Sequence, residues 1–189
     1  MRGLRVFAVL VAACLPTGVS AQVTDLTRSG VWSAFMGHAQ AGTRVCGAGA
    51  PGGGEGIDQA SFLIKHFPDN SYLNVQIIKL SWNFPAGTRI RYELLIDGRR
   101  TYVGRSAGIG NVLEWIVTLD RADEFVANLT GGRAMELRFL ERGEPPIAVS
   151  LSGTEAVLDV LARCISLHTR VFRPAAPDAE DIVMQHLLQ

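Results

Sequence analysis

The chain has 189 residues, with 18 basic against 18 acidic side chains, 19% charged residues and 48% hydrophobic ones. That length suits one domain around a single core. The balanced charge excludes the basic footprint of a general nucleic-acid binder and the acidic excess of a disordered tail.

The charged fraction lies below the ~25% usual for soluble domains, and part of the apolar surplus is N-terminal. Met1 to Arg5 is short and basic, Val6 to Leu15 is almost continuously apolar, and Val19-Ser20-Ala21 precedes Gln22. This is the three-part layout of a secretory signal, with an apolar stretch too short to span a bilayer. Residues 1–21 are therefore expected to be a signal peptide, 22–169 a single β-rich domain, and 170–189 a C-terminal tail or short helix. An alternative reading takes Val11-Ala12-Ala13-Cys14 as a lipoprotein cleavage site, which would anchor the chain through Cys14. Loss of residues 1–21 removes Arg2 and Arg5, leaving 16 basic against 18 acidic groups. No later apolar run approaches the ~20 residues of a membrane-spanning helix, so the exported product is expected in the periplasm.

Two cysteines follow the signal, Cys46 and Cys164. An even pair in an oxidising compartment is expected to form a disulfide. Two buried free thiols are the alternative. A metal site has less support, because the pair lacks the CxxC or HxxxH spacing of zinc sites.

Strand signals then dominate. Gly30–His38 reads as a strand and Thr43–Cys46 as a second. Gly47 to Gly56 reads as a flexible glycine-rich loop, since no Gly-Lys-Ser/Thr and no helix follow to hold a phosphate. Phe62 and Ile64 alternate with polar or outward positions, Pro68-Asp69-Asn70-Ser71 turns, and Leu73, Val75 and Ile77 share the next strand face. Leu80 and Trp82 lie on the opposite parity, which predicts a bulge near Ile77-Ile78. After a turn at Pro85-Ala86-Gly87, Ile90, Tyr92, Leu94 and Ile96 alternate with Arg89, Arg91, Glu93 and Asp97, with Leu95 the exception. Asp97-Gly98 is a strong hairpin signal. Val112–Leu119 is a strand. Asp120 with Asp123, Phe125, Val126, Leu129 and Gly131-Gly132 reads as a short capped helix. Met135, Leu137 and Phe139 form a further strand, and Ile147, Val149 and Leu151 another. Ser152-Gly153-Thr154-Glu155 fits a capping box ahead of the apolar stripe Val157, Val160, Leu161 and Cys164. The sum is a mainly β fold, an antiparallel β-sandwich or partly open barrel with one short and one longer helix.

The order Trp32, Cys46, Leu80-Ser81-Trp82 with Pro85-Ala86-Gly87-Thr88, Ile96-Asp97-Gly98, and Leu151-Ser152-Gly153-Thr154 running to Cys164 resembles the invasion-associated locus B family. The resemblance covers about residues 32–166. It implies a small exported bacterial β-rich protein of the periplasm or envelope, without an established catalytic activity.

Direct signs of chemistry are sparse. No Gly-x-Ser-x-Gly elbow occurs, and His38, His66, His168 and His186 stand in no recognisable motif, so a secreted hydrolase is the alternative rather than the first reading. Asp120, Asp123 and Glu155 are explained as helix caps, and Glu55 with Asp58 lies beside a glycine loop. Asn128-Leu129-Thr130 matches a glycosylation acceptor but falls within a helix. Trp32, Trp82 and Trp115 are core residues or interface anchors, and Arg99-Arg100 is a solvated turn or an anion contact. The expectation is a non-enzymatic exported binding protein. Its partner would be a protein or envelope component, with no catalytic residue, cofactor or metal assigned and no nucleic acid bound.

Overall fold

The structure is a computed structural model that describes residues 23–39, 42–141 and 143–171. The expected signal segment with Cys14, and the tail from residue 172 with His186, lie outside the described residues.

The described residues form ten strands and two helices. The strands are β1 (Thr24–Ser29), β2 (Trp32–His38), β3 (Arg44–Pro51), β4 (Ala60–His66), β5 (Tyr72–Lys79), β6 (Phe84–Ile96), β7 (Arg99–Gly110), β8 (Val112–Thr118), β9 (Ala134–Phe139) and β10 (Ile147–Ser150). Helix α1 (Leu119–Gly131) follows β8, and α2 (Thr154–Val171) follows β10. All the strands join one sheet in the order β1-β2-β3-β4-β5-β8-β7-β6-β9-β10, and the neighbouring pairs are antiparallel. The sheet is open, with β1 and β10 at its ends. It nevertheless curls until β10 reaches β2 and the segment that follows β3. The Gly53 amide donates to the Ala148 carbonyl at 2.8 Å, and the Trp32 indole donates to the Ser150 carbonyl at 2.7 Å.

The core lies on the concave face. The alternation read in β6 places Ile90, Tyr92, Leu94 and Ile96 there, opposite Phe62, Ile64, Val75 and Ile77 from β4 and β5, and all eight are buried. Burial of each large aliphatic or aromatic side chain is worth roughly 1.5–3 kcal/mol over leaving it exposed. Leu95, the exception on the polar face, is buried too, beside a bulge where Thr101 of β7 falls between the partners of Leu94 and Leu95. The Asp97-Gly98 hairpin forms with φ of +49° and +76°, and the Asp97 carboxylate accepts from the amides of Arg133 and Ala134. That contact ties the hairpin to β9.

Helix α2 lays its stripe of Val157, Leu161 and Cys164 across β1, β2 and β3, and Cys164 is disulfide-bonded to Cys46 of β3. Two glycines let the start of α2 meet the β1–β2 turn. Gly30 (φ +57°) lies against the Ser152 carbonyl and Gly153 (φ +94°) against the Ser29 carbonyl, so a side chain at either would overlap backbone.

Several expected boundaries differ. The glycine-rich segment is strand as far as Pro51, and its loop begins at Gly52. Gly47 and Gly49 are needed there because the Phe35 ring and the Leu63 side chain occupy the space a Cβ would take. The bulge expected at Ile77-Ile78 is absent, since β5 pairs regularly with both neighbours. The chain instead turns at Leu80, which is exposed, before Trp82 returns to the core. Pro85-Ala86-Gly87 is a bulged stretch inside β6 rather than a separating turn. Strand β1 was not expected at all. Neither helix starts on its expected cap, although Gly132 closes α1 as expected. Helix α1 begins at Leu119, so Asp120 lies inside its first turn, and α2 begins at Thr154, two residues after Ser152.

Candidate functional site

Strands β7 and β8 share a turn at Gly110 and then diverge. Among the described residues they pair only from Ala107–Ile109 to Val112–Glu114. Beyond that point β7 stays with β6 as far as Arg99, whereas β8 stays with β5 as far as Thr118. Tyr102–Arg105 and Trp115–Thr118 therefore face each other across a wedge-shaped cleft of about 310 Å³. Helix α1 starts directly after β8 and fills the wide end of the wedge with Arg121 and Phe125.

The floor is aromatic. Tyr92 and Trp115 lie with ring centroids 4.6 Å apart at 37°, and Tyr102 meets Phe125 edge-on at 5.6 Å. Gly104 permits this, because a Cβ there would sit 2.9 Å from the Tyr92 hydroxyl oxygen. Asn128 donates to the Tyr102 hydroxyl at 3.0 Å, and the Arg121 guanidinium stands 5.7 Å from the Tyr102 ring centre. Burial pushes the Tyr92 hydroxyl far above its ordinary value, and burial also raises that of Tyr102. Both phenols stay neutral at physiological pH and can donate or accept.

The rim is apolar and open. Val103 is 55% exposed and Ile116 54%, while Arg105 and Arg121 add positive charge at the walls. Among the described residues the lining contains no histidine, cysteine or carboxylate, so the cleft can hold a ligand but offers no nucleophile with a base beside it.

The residues singled out from sequence are scattered. Trp32 and Trp82 are core residues, and Trp115 is the one tryptophan that reaches the cleft. The Trp82 indole donates to Glu144, which also holds Lys79 at 2.7 Å. Asp58 pairs with that same lysine at 3.4 Å, and a hydrogen bond from Ser81, followed by the lysine's charge, lowers its carboxyl pKa. Glu55 is exposed in the same loop. Asp120, Asp123 and Glu155 sit exposed on the helices, and Arg99 and Arg100 are exposed at the hairpin. Asn128 is committed to Tyr102.

A second cluster forms beneath α2. Cys46 pairs across the sheet with Met36 on one side and His66 on the other, while α2 contributes Cys164 and His168. The two sulfurs and one imidazole nitrogen of His168 lie within 4.8 Å of one another, and His168 Nε2 is 3.3 Å from the Met36 sulfur. His66 Nε2 lies 3.2 Å from the Asn70 carbonyl, and burial lowers the His66 pKa. Both Nδ1 atoms are buried without a hydrogen-bond partner among the described residues. Sequence reasoning found the cysteine pair but not its company. The available signal was the four-residue spacing of Cys164 and His168, which puts both on one helix face. His38, by contrast, is exposed at the end of β2.

No family model, curated protein or solved structure matches this chain.

Proposed function

We propose that the chain is a non-enzymatic binding protein of the periplasm or cell envelope, and that its cleft takes an extended segment of a protein partner. The observation that carries this reading is the pair of facing strand edges, Tyr102–Arg105 and Trp115–Thr118, above an aromatic floor. A strand edge without a neighbour offers main-chain donors and acceptors, and a peptide laid along it gains hydrogen bonds while alternate side chains enter pockets. Tyr92, Trp115 and Phe125 suit an apolar or aromatic side chain pointing inward. Val103 and Ile116 would cover the outward-facing ones. The cysteine pair at disulfide distance supports an oxidising location, as do the signal-like leader and the resemblance to the invasion-associated locus B family. The secreted-hydrolase alternative finds no catalytic pair in the cleft.

A display library of short extended peptides tests the proposal when screened on the protein and on Val103→Glu and Ile116→Glu variants. Selected peptides should carry alternating apolar residues, and either variant should weaken them at least about tenfold, which corresponds to 1.4 kcal/mol. Amide NMR shifts should fall on residues 102–105 and 115–118. Peptides that bind both variants undiminished, or that shift amides elsewhere, would overturn it.

A further inference from the structure

We propose that the cluster beneath α2 is a redox-gated copper(I) site, with Cys46, Cys164 and His168 as ligands and Met36 as a fourth, weaker one. The two cysteine sulfurs are joined in the disulfide, a ring nitrogen of His168 lies within 4.8 Å of both, and the Met36 thioether lies 3.3 Å from the same ring. Thiolate and thioether are soft donors, and a site that mixes them with imidazole favours copper(I) over hard cations. His168 is 9% exposed, and its Nδ1 has no hydrogen-bond partner among the described residues.

A way in also exists. An apolar groove of about 620 Å³ opens between β1, β2 and α2, and its lining includes Leu26, Met36, Cys164, Leu167 and His168. The groove shares no lining residue with the β7–β8 cleft, so the copper site and the peptide-binding reading stand or fall separately.

The disulfide is the closed state of the site. A dithiol reductant attacks the Cys164 sulfur, the S–S bond breaks, and Cys46 leaves as a thiolate. The second reductant thiol then displaces Cys164, so the reductant is oxidised to its own disulfide and two thiols remain on the protein. Copper(I) binds both sulfurs as thiolates and releases two protons. The disulfide of such a dithiol reverses the sequence: it takes up two electrons and two protons to become the dithiol, the Cys46–Cys164 bond re-forms, and copper(I) is expelled.

The test is an anaerobic titration of the full, phosphine-reduced protein with copper(I) against bicinchoninate, with far-ultraviolet circular dichroism showing that the reduced chain stays folded. One equivalent should be bound with sulfur-to-copper charge-transfer absorption, and the disulfide form should bind none. His168→Ala and Met36→Leu keep both cysteines and should each weaken binding by about tenfold or more. Binding that is unchanged in both variants would overturn the site. So would equal binding by the disulfide form, or displacement of copper(I) by equimolar zinc(II).

Discussion

At the scale of single residues, several side chains are determined by what their neighbours leave room for. Gly153 shows this most sharply. Its φ of +94° is one that other residues adopt at a cost, and the Ser29 carbonyl fills the space beside it. Gly153→Ala should lower stability by more than about 1 kcal/mol, because both the conformation and the space are wrong for a methyl group. Gly131→Ala is the control. It closes α1, has nothing within 4 Å of an added Cβ, and should be neutral or slightly stabilising. Urea midpoints of the two variants, measured side by side, check the contrast; equal midpoints would mean that the β1–β2 turn is not clamped by the start of α2.

Among elements, the disulfide is the strongest single tie, joining β3 to α2 across 118 residues. The chain-entropy account gives about 4–5 kcal/mol for a loop of that size. The double variant Cys46→Ala with Cys164→Ala should lose stability of that order in urea unfolding, whereas a loss well under 1 kcal/mol would mean that the packing of Val157 and Leu161 already holds the helix. The elements themselves were unevenly legible in the sequence. Strands β6 and β9 were readable because one face is buried and the other wet, so their apolar residues alternate. Strand β1 was not readable because it lies at the exposed edge and carries no such pattern. The second half of β3 was hidden for the opposite reason. Gly47 and Gly49 carry no strand propensity, and their place in the sheet is set by the Phe35 ring and Leu63 on neighbouring strands. The caps were not legible because each helix starts away from the residue that matches the pattern, α1 one residue before Asp120 and α2 two residues after Ser152. The candidate sites were the least legible part. The cleft exists because β8 chooses β5 over β7, and the sulfur–imidazole cluster exists because β2, β3 and β4 align Met36, Cys46 and His66; neither pairing leaves a local signal.

At the scale of the whole molecule, the sheet has uneven support. Strand β5 has partners along its length on both sides, β4 and β8. Among the described residues the first half of β7 pairs with β6 alone. Amides of Thr101–Arg105 that point toward the cleft should exchange with solvent orders of magnitude faster than those of Leu73–Ile77, since local opening tracks missing backbone partners and thin packing. Hydrogen-exchange mass spectrometry resolves the two segments, and equal protection would mean that the wedge is closed in solution. A bound peptide should remove the difference.

The position of the two cysteines has a consequence for how the chain is made. Strands β1 to β5 pair with their sequence neighbours, so this meander can assemble from the N-terminal side as the polypeptide emerges. Cys46 is then in place long before Cys164, its partner at the far end of the fold. Throughout that interval the thiol has no intramolecular partner in the emerged meander. It is open to small thiols, to oxidants and to the same cysteine of another emerging chain. Helix α2, which follows every strand in the chain, is the element that brings its partner.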